Sequence, residues 1–324
     1  MKRIQYHRYG GPEVMRLEDF EPRELGAEDV LVRVRAASAN PMDFGIRDGA
    51  MKMMTGRSFP RGMGYDFAGV VEAVGAEVVL LAPGDRVAYA GAPVGAYSST
   101  RLLPATRAIK LPDGVGSRAA AASTLKGMTA YMLLNRTYAV RPGTVILVHA
   151  AAGGLGAILV RWAKHLGATV IGTVSSEEKA ALARAHGSDH LIVGRDADLV
   201  QQVLELTGGR GVDVGYDGIG GAMLAKTIQC IRPFGTAVSF GQAAGPIPPV
   251  SLDQLRPNRA LAHPSIMAAT SDQVFYDEAA AALIDAFSLN IAADIGGEFA
   301  LSDAARAHSE LEAGRTTGSL LLIP

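Results

Sequence analysis

Residues 145–157 read Val-Ile-Leu-Val-His-Ala-Ala-Ala-Gly-Gly-Leu-Gly-Ala, an apolar run that breaks into small residues and then resumes. Laid on the dinucleotide fingerprint Gly-x-Gly-x-x-Gly, Ala151, Gly153 and Gly156 take the three glycine positions, with the next smallest residue in the first. Gly153 lets the backbone approach a pyrophosphate, and Gly156 lets the helix close on the preceding strand. Amides at the new helix N-terminus would bind the phosphates. A glycine-rich helix start also occurs in parallel sheets that bind nothing. The strand before it and the helix after it are what favour a dinucleotide here.

The end of the next strand decides which dinucleotide. A site for NAD carries Asp or Glu there for the ribose hydroxyls, whereas this chain has Thr173-Val174-Ser175-Ser176, with Lys179 four residues after Ser175. Hydroxyls and a lysine suit a 2′-phosphate, so NADPH is the expected cofactor. Lys179 as an ordinary solvated helix residue is the competing account, and Glu177 or Glu178 turned inward would weaken the preference.

Metal chemistry finds few ligands. Cys230 is the single cysteine, which excludes an intramolecular disulfide and a cysteine-rich zinc or iron–sulfur site and fits a reducing compartment. His186 and His190 are four apart, but Gly187 should end the helix between them, so no metal is expected. Polar and charged residues at positions 1–7 interrupt any signal core, which points to the cytoplasm. The longest uncharged stretch, residues 233–252, holds Pro233, Pro246, Pro248, Pro249 and three glycines. It reads as a strand followed by a loop, so no membrane partner is expected. Thirty-one Lys and Arg against 32 Asp and Glu leave a net charge of -1, which argues against a nucleic-acid partner.

The elements that must position these groups follow from the patterning. Up to about residue 110, short apolar runs at 30–36, 69–74, 86–90 and 96–102 are bounded by Gly, Pro and Asp, as in a barrel-like antiparallel region. Residues 117–134 are rich in Ala, Met and Leu at helical spacing. Strands then alternate with helices: strands at 145–149, 170–174, 212–216 and 236–240, and helices at 154–166, 178–186 and around Leu199, Val203 and Leu206. That alternation predicts a doubly wound parallel α/β sheet. The tail reads as helices at 272–289 and 302–311, the latter with Ser302 as N-cap, and a final strand at 319–323 that would return to the N-terminal barrel. The 324-residue length fits two domains.

The chain resembles the zinc-free quinone oxidoreductases of the medium-chain dehydrogenase/reductase superfamily, the group that includes zeta-crystallin. The resemblance runs through Gly10-Gly11-Pro12-Glu13-Val14, Asn40-Pro41-Met42-Asp43 with Ile46-Arg47, Gly84-Asp85-Arg86-Val87, Leu125-Lys126-Gly127-Met128-Thr129-Ala130, His149 to Gly156, Val238-Ser239-Phe240-Gly241 and Thr317-Gly318-Ser319. It implies a GroES-like catalytic domain formed by residues 1–123 and 264–324 around a Rossmann domain of residues 124–263, with NADPH between them. By position, Asn40 and Met42 would lie near the nicotinamide, with Thr129 and Met132 on the following helix and Gly153, Gly154, Leu155 and Gly156 at the pyrophosphate. Thr173, Ser175, Ser176, Lys179 and Arg195 would serve the adenosine 2′-phosphate side. Ile219, Phe240, Gly241 and Gln242 would follow the ribose and nicotinamide, and Pro264, Ser265, Arg315, Gly318 and Ser319 would close the far side.

Where relatives place a tyrosine on the adenine side this chain has Gly194, and His263 replaces an arginine before Pro264. Gly45 and the methionines Met51, Met53 and Met54 stand where relatives carry bulky pocket residues. If those methionines line the site rather than fill core, the pocket is roomy, apolar and adaptable. Hydride transfer to a quinone needs orientation and donors for the developing oxyanion. The amide of Asn40 is the candidate donor, or else it bonds the loop backbone. Asp43 would position Asn40 or Arg47, or cap the short helix. Asp66 and Asp217 read as buried carboxylates with backbone partners. Two other functions stay open: NADPH-dependent reduction of an alkenal or enone double bond, and a non-catalytic NADPH-binding protein of the crystallin or RNA-binding kind. The superfamily implies a homodimer, with residues 236–240 as the expected edge strand.

Overall fold

A computed structural model describes residues 1–52 and 58–324, which divide into two units, residues 1–127 with 270–324 and residues 128–269. The boundaries fall a few residues beyond the expected 123/124 and 263/264. The first of them falls within the helix Ser117–Tyr131.

The first unit begins with β1 (Lys2–Tyr6), β2 (Arg16–Asp19), β3 (Asp29–Ala39), β4 (Arg61–Gly62), β5 (Asp66–Val74), β6 (Arg86–Ala90), β7 (Thr100–Pro104) and β8 (Ile109–Lys110). In β3, Val30, Val32 and Val34 are buried while Arg33 and Arg35 are exposed, the period-two pattern of a strand with one face on the core. The expected strand at 96–102 starts only at Thr100. Residues 96–98 instead lie against β1, with an isolated bridge between Ser98 and Arg3, and Tyr97 is fully buried.

The second unit carries β9 (Val145–Val148), β10 (Thr169–Val174), β11 (His190–Val193), β12 (Val212–Asp217), β13 (Ile231–Ser239) and β14 (Ala260–Ala262). All pairs are parallel, in the order β11-β10-β9-β12-β13-β14, which is the doubly wound dinucleotide-binding order. Residues 236–240 are therefore not an edge. Thr236, Ala237 and Val238 pair with Ala260, Leu261 and Ala262 on their outer side, so the edge strand on that side of the sheet is Ala260–Ala262. A strand that short, arriving after a long proline-rich loop, left no periodicity to read.

The chain then returns to the first unit with β15 (Ile295–Ala300) and β16 (Ser319–Ile323), completing the order β15-β16-β3-β5-β6-β8 with β7 also on β3. Ser302 lies in a 3-10 turn, and Asp303 is the N-cap of Ala304–Glu312. The helix that begins at Ser117 ends in a π-helical turn at Met132–Thr137. No helix among the described residues is long and apolar enough to cross a membrane.

Candidate active site

The strand order reverses between β9 and β12, and the cofactor residues named for the second unit follow the C-terminal ends of its strands. Gly153, Gly154, Leu155 and Gly156 follow β9, and Ser175, Ser176 and Lys179 follow β10, while Thr173 is the last residue but one of β10 itself. Arg195 follows β11, Ile219 follows β12, Phe240, Gly241 and Gln242 follow β13, and Pro264 and Ser265 follow β14. In a doubly wound sheet this is the edge that binds ligands.

The phosphate turn is built by close packing. A Cβ at Gly156 would lie 2.2 Å from the Ala150 carbonyl oxygen and 2.9 Å from Ala151 Cα, so only glycine lets the helix Gly154–His165 sit against β9. A Cβ at Gly153 would meet only the Ala150 oxygen, at 3.2 Å. Gly153 is also the N-cap, with no side chain to satisfy the first-turn amides of Gly154, Leu155 and Gly156. The alanine in the first fingerprint position is accommodated across the sheet. A Cβ at Gly172 would come within 2.9 Å of the Ala151 Cβ, so a small residue on β10 offsets the larger one on the turn.

At the end of β10, Ser175 is exposed and Ser176 and Lys179 are partly so. Ser176 caps the helix Glu177–Ala185, its Oγ accepting from the Lys179 amide at 3.4 Å. Its own hydroxyl hydrogen is not used in that bond. Gly194 has φ +106°, a conformation that a residue with a side chain would hold only under strain. Thr129 and Met132 are buried, with exposures of 8% and 4%.

In the first unit, Asn40 caps the helix Pro41–Asp48 and Asp43 lies in its first turn, and both sit in a dense polar cluster with Lys126, to which the sequence motif assigned no role. Its Nζ donates to Ser38 Oγ at 2.7 Å and Asn40 Oδ1 at 2.8 Å. The Asn40 amide donates to the Ser38 carbonyl at 3.1 Å and to Asp66 Oδ1 at 2.7 Å. Both amide hydrogens are engaged inside the protein, so the loop-bonding role is the one observed and Asn40 has no N–H left for an oxyanion. A lone lysine within an Ala-, Met- and Leu-rich helix was the available signal.

Asp43 behaves as a cap. Its Oδ2 accepts from the Asn40 amide at 2.9 Å and from the Tyr97 hydroxyl at 2.8 Å, and Tyr97 meets His308 Nε2 at 3.0 Å. Arg47 contacts His308 Nδ1 at 2.9 Å and pairs with Glu312. Burial pushes the Asp43 carboxyl up to about 7 against its two donors, and pushes Asp66 up to about 6 against Lys126 and Asn40. Burial also lowers the Lys126 ammonium against the attraction of Asp66 and Asp43, and takes the His308 imidazole down to about 3, with Arg47 adding to it. Asp66 has the expected backbone partner in the Leu125 amide at 3.2 Å. Asp217 has two, the amides of Ile219 and Gly220 at 2.8 and 2.9 Å.

Met51 packs on Gly45, where a Cβ would lie 3.1 Å from Met51 Cγ; Met42 is partly exposed. Met53 and Met54 lie outside the described residues. Ser319 is a correction: it is 1% exposed, with its hydroxyl donating to the Ala122 carbonyl at 2.8 Å, so it holds β16 in place instead of facing a ligand. Gly318 makes the preceding turn at φ +60°. Arg315 is exposed and pairs with Glu310 at 3.2 Å. Among the described residues, no three His, Cys, Asp or Glu side chains gather as a metal site would require.

Residues 26–113 match the alcohol dehydrogenase GroES-like domain family, and residues 154–283 match the zinc-binding dehydrogenase family. Over 334 aligned residues the chain is 43% identical to a quinone oxidoreductase of Pseudomonas aeruginosa, covering 100% of this chain and 99% of that one. It is 39% identical over 324 residues to a 2-haloacrylate reductase of a Burkholderia species, covering 98% and 97%. The structure of Escherichia coli quinone oxidoreductase complexed with NADPH superposes with a TM-score of 0.93 at 38% identity over 100% of both chains.

Proposed function

The chain belongs to the quinone oxidoreductases of the medium-chain dehydrogenase/reductase superfamily, its reaction is the NADPH-dependent reduction of quinones, and we propose that its own residues divide the work as follows. The reading rests on the phosphate turn, a helix N-terminus left open by three small residues at the switch in strand order. The amides of Gly154, Leu155 and Gly156 hold the pyrophosphate, and Ser175, Ser176, Lys179 and Arg195 hold the 2′-phosphate. NADPH supplies the hydride. Lys126, Asn40 and Asp66 stiffen the start of the helix Pro41–Asp48, which carries Met42 and Gly45 toward substrate. The hydroquinone oxygens collect their protons from water, so no side-chain acid is assigned.

A homodimer joined through the second unit, now at the edge strand Ala260–Ala262, completes the proposal, together with a reducing cytoplasmic setting for the buried Cys230. A second reading is favoured by the 2-haloacrylate reductase relative. A haloacrylate is an activated alkene, and the same hydride could add to the carbon beta to its carboxylate.

Fluorescence titration of NADPH and NADH tests the cofactor residues. Lys179→Ala should weaken NADPH by about 1.5–3 kcal/mol and leave NADH unchanged. Equal affinities in the parent protein would overturn the assignment. A panel of quinones and activated alkenes under identical conditions separates the two reductase readings.

A further inference from the structure

The imidazole of His149, the last residue before the phosphate turn, bridges two threonines. Its Nδ1 is 3.0 Å from Thr173 Oγ1 on β10, and its Nε2 is 2.9 Å from Thr227 Oγ1 on the helix Met223–Cys230. Thr227 has only one hydroxyl hydrogen, and two oxygens compete for it: Asp217 Oδ2 at 3.1 Å and the Met223 carbonyl at 3.1 Å. Both are acceptors. Were the hydrogen turned to His149 instead, Thr227 would face them lone pair to lone pair, so its hydrogen goes to one of them and Thr227 accepts from Nε2–H. Burial lowers the imidazole's affinity for a proton, against the attraction of Asp217, and so favours the neutral ring. A neutral ring with its hydrogen on Nε2 has a bare Nδ1. Thr173 must then donate to Nδ1, which commits its one hydrogen to the interior.

We infer that His149 fixes the direction of the Thr173 hydroxyl, so that Thr173 meets the nucleotide only as an acceptor, from a ribose hydroxyl, and takes no part in holding the 2′-phosphate. A phosphate brings acceptor oxygens alone, and two acceptors repel, whereas a ribose hydroxyl can donate. The inference rests on the cofactor reading above and divides the hydroxyls at the end of β10. Ser176, which accepts from a backbone amide, keeps its hydrogen for the phosphate, and Thr173 does not.

Nitrogen-15 NMR of the ligand-free protein should show the His149 ring as the neutral Nε2–H tautomer. Thr173→Val should move the Nδ1 resonance toward that of an unbonded ring nitrogen, a change that loss of packing alone does not produce. In titrations, Thr173→Val should weaken NADPH and NADH by the same factor, roughly two- to tenfold, while Lys179→Ala weakens NADPH alone. An Nδ1–H tautomer, or a Thr173→Val loss confined to NADPH, would overturn the inference and leave the cofactor reading standing. A parent protein that binds neither nucleotide would sink the cofactor reading, and the ligand role of Thr173 with it.

Discussion

Asp43→Asn should remove a pH dependence of stability that the parent protein carries between about pH 4 and pH 7. The Asp43 side chain is 0% exposed, and its carboxyl is held near 7, mainly by burial. In the unfolded chain the same group titrates near about 3.9. Between those values the folded state binds the proton and the unfolded state has lost it, so stability falls as pH rises. The contribution is fully present below about pH 3.9 and is gone once the pH passes about 7. At about 1.4 kcal/mol per pH unit over about three units, the loss is on the order of 4 kcal/mol. Asparagine keeps an acceptor for the Asn40 amide at 2.9 Å and the Tyr97 hydroxyl at 2.8 Å. Its NH2 replaces Oδ1, which has no hydrogen-bond partner among the described residues, at a cost of about 1–3 kcal/mol that does not vary with pH.

The variant should therefore be less stable than the parent near pH 4 and gain on it by about 4 kcal/mol up to pH 8. Urea unfolding followed by circular dichroism at half-unit intervals gives that difference directly. Taking it against the parent largely cancels Asp66 and His308, which titrate in both proteins. A difference that stays flat from pH 4 to pH 8 would refute the argument that Asp43 is buried as a high-titrating carboxyl.

Gly156→Ala places its Cβ 2.2 Å from the Ala150 oxygen, so thermal unfolding should show a loss of roughly 1–3 kcal/mol, and both NADPH and NADH should bind poorly. Lys126→Met removes the cation whose attraction favours the buried Asp66 carboxylate and that donates to Ser38 and Asn40, and should cost about 3–5 kcal/mol; adding Asp66→Asn should recover part of it, and a double variant no better than the single would count against the electrostatic coupling. Gly45→Tyr must displace Met51, whose Cγ is 3.1 Å from the new Cβ; steady-state rates should fall more for naphthoquinones than for benzoquinone, and an unchanged ratio would contradict the pocket assignment. Sedimentation at micromolar concentration should show a dimer, and a charged substitution at Leu261 on the edge strand should shift it toward monomer.

The sequence by itself determined the elements whose signal is local. A buried apolar run followed by Ala151, Gly153 and Gly156 can make only a strand, a tight turn and a helix, and the alternation after it can make only a parallel sheet with crossovers. That Ser175, Ser176 and Lys179 follow β10 was legible for the same reason: the end of the strand is set by position along the chain. The tertiary structure decided what depends on residues far apart. Spacing left Asn40 open as either a donor to substrate or a bond to its own loop, and Asp66, 26 residues on, and Lys126, 86 residues on, decide it by occupying both ends of its amide. Ser319 looked like a ligand until β16 closed over it and turned its hydroxyl to Ala122. Which strand forms the edge of the second sheet turned on three residues, Ala260–Ala262, whose pairing no periodicity announces. A hydrogen bond or a strand partner is a property of two positions, and one-dimensional spacing records only those that lie within a turn or a strand of each other.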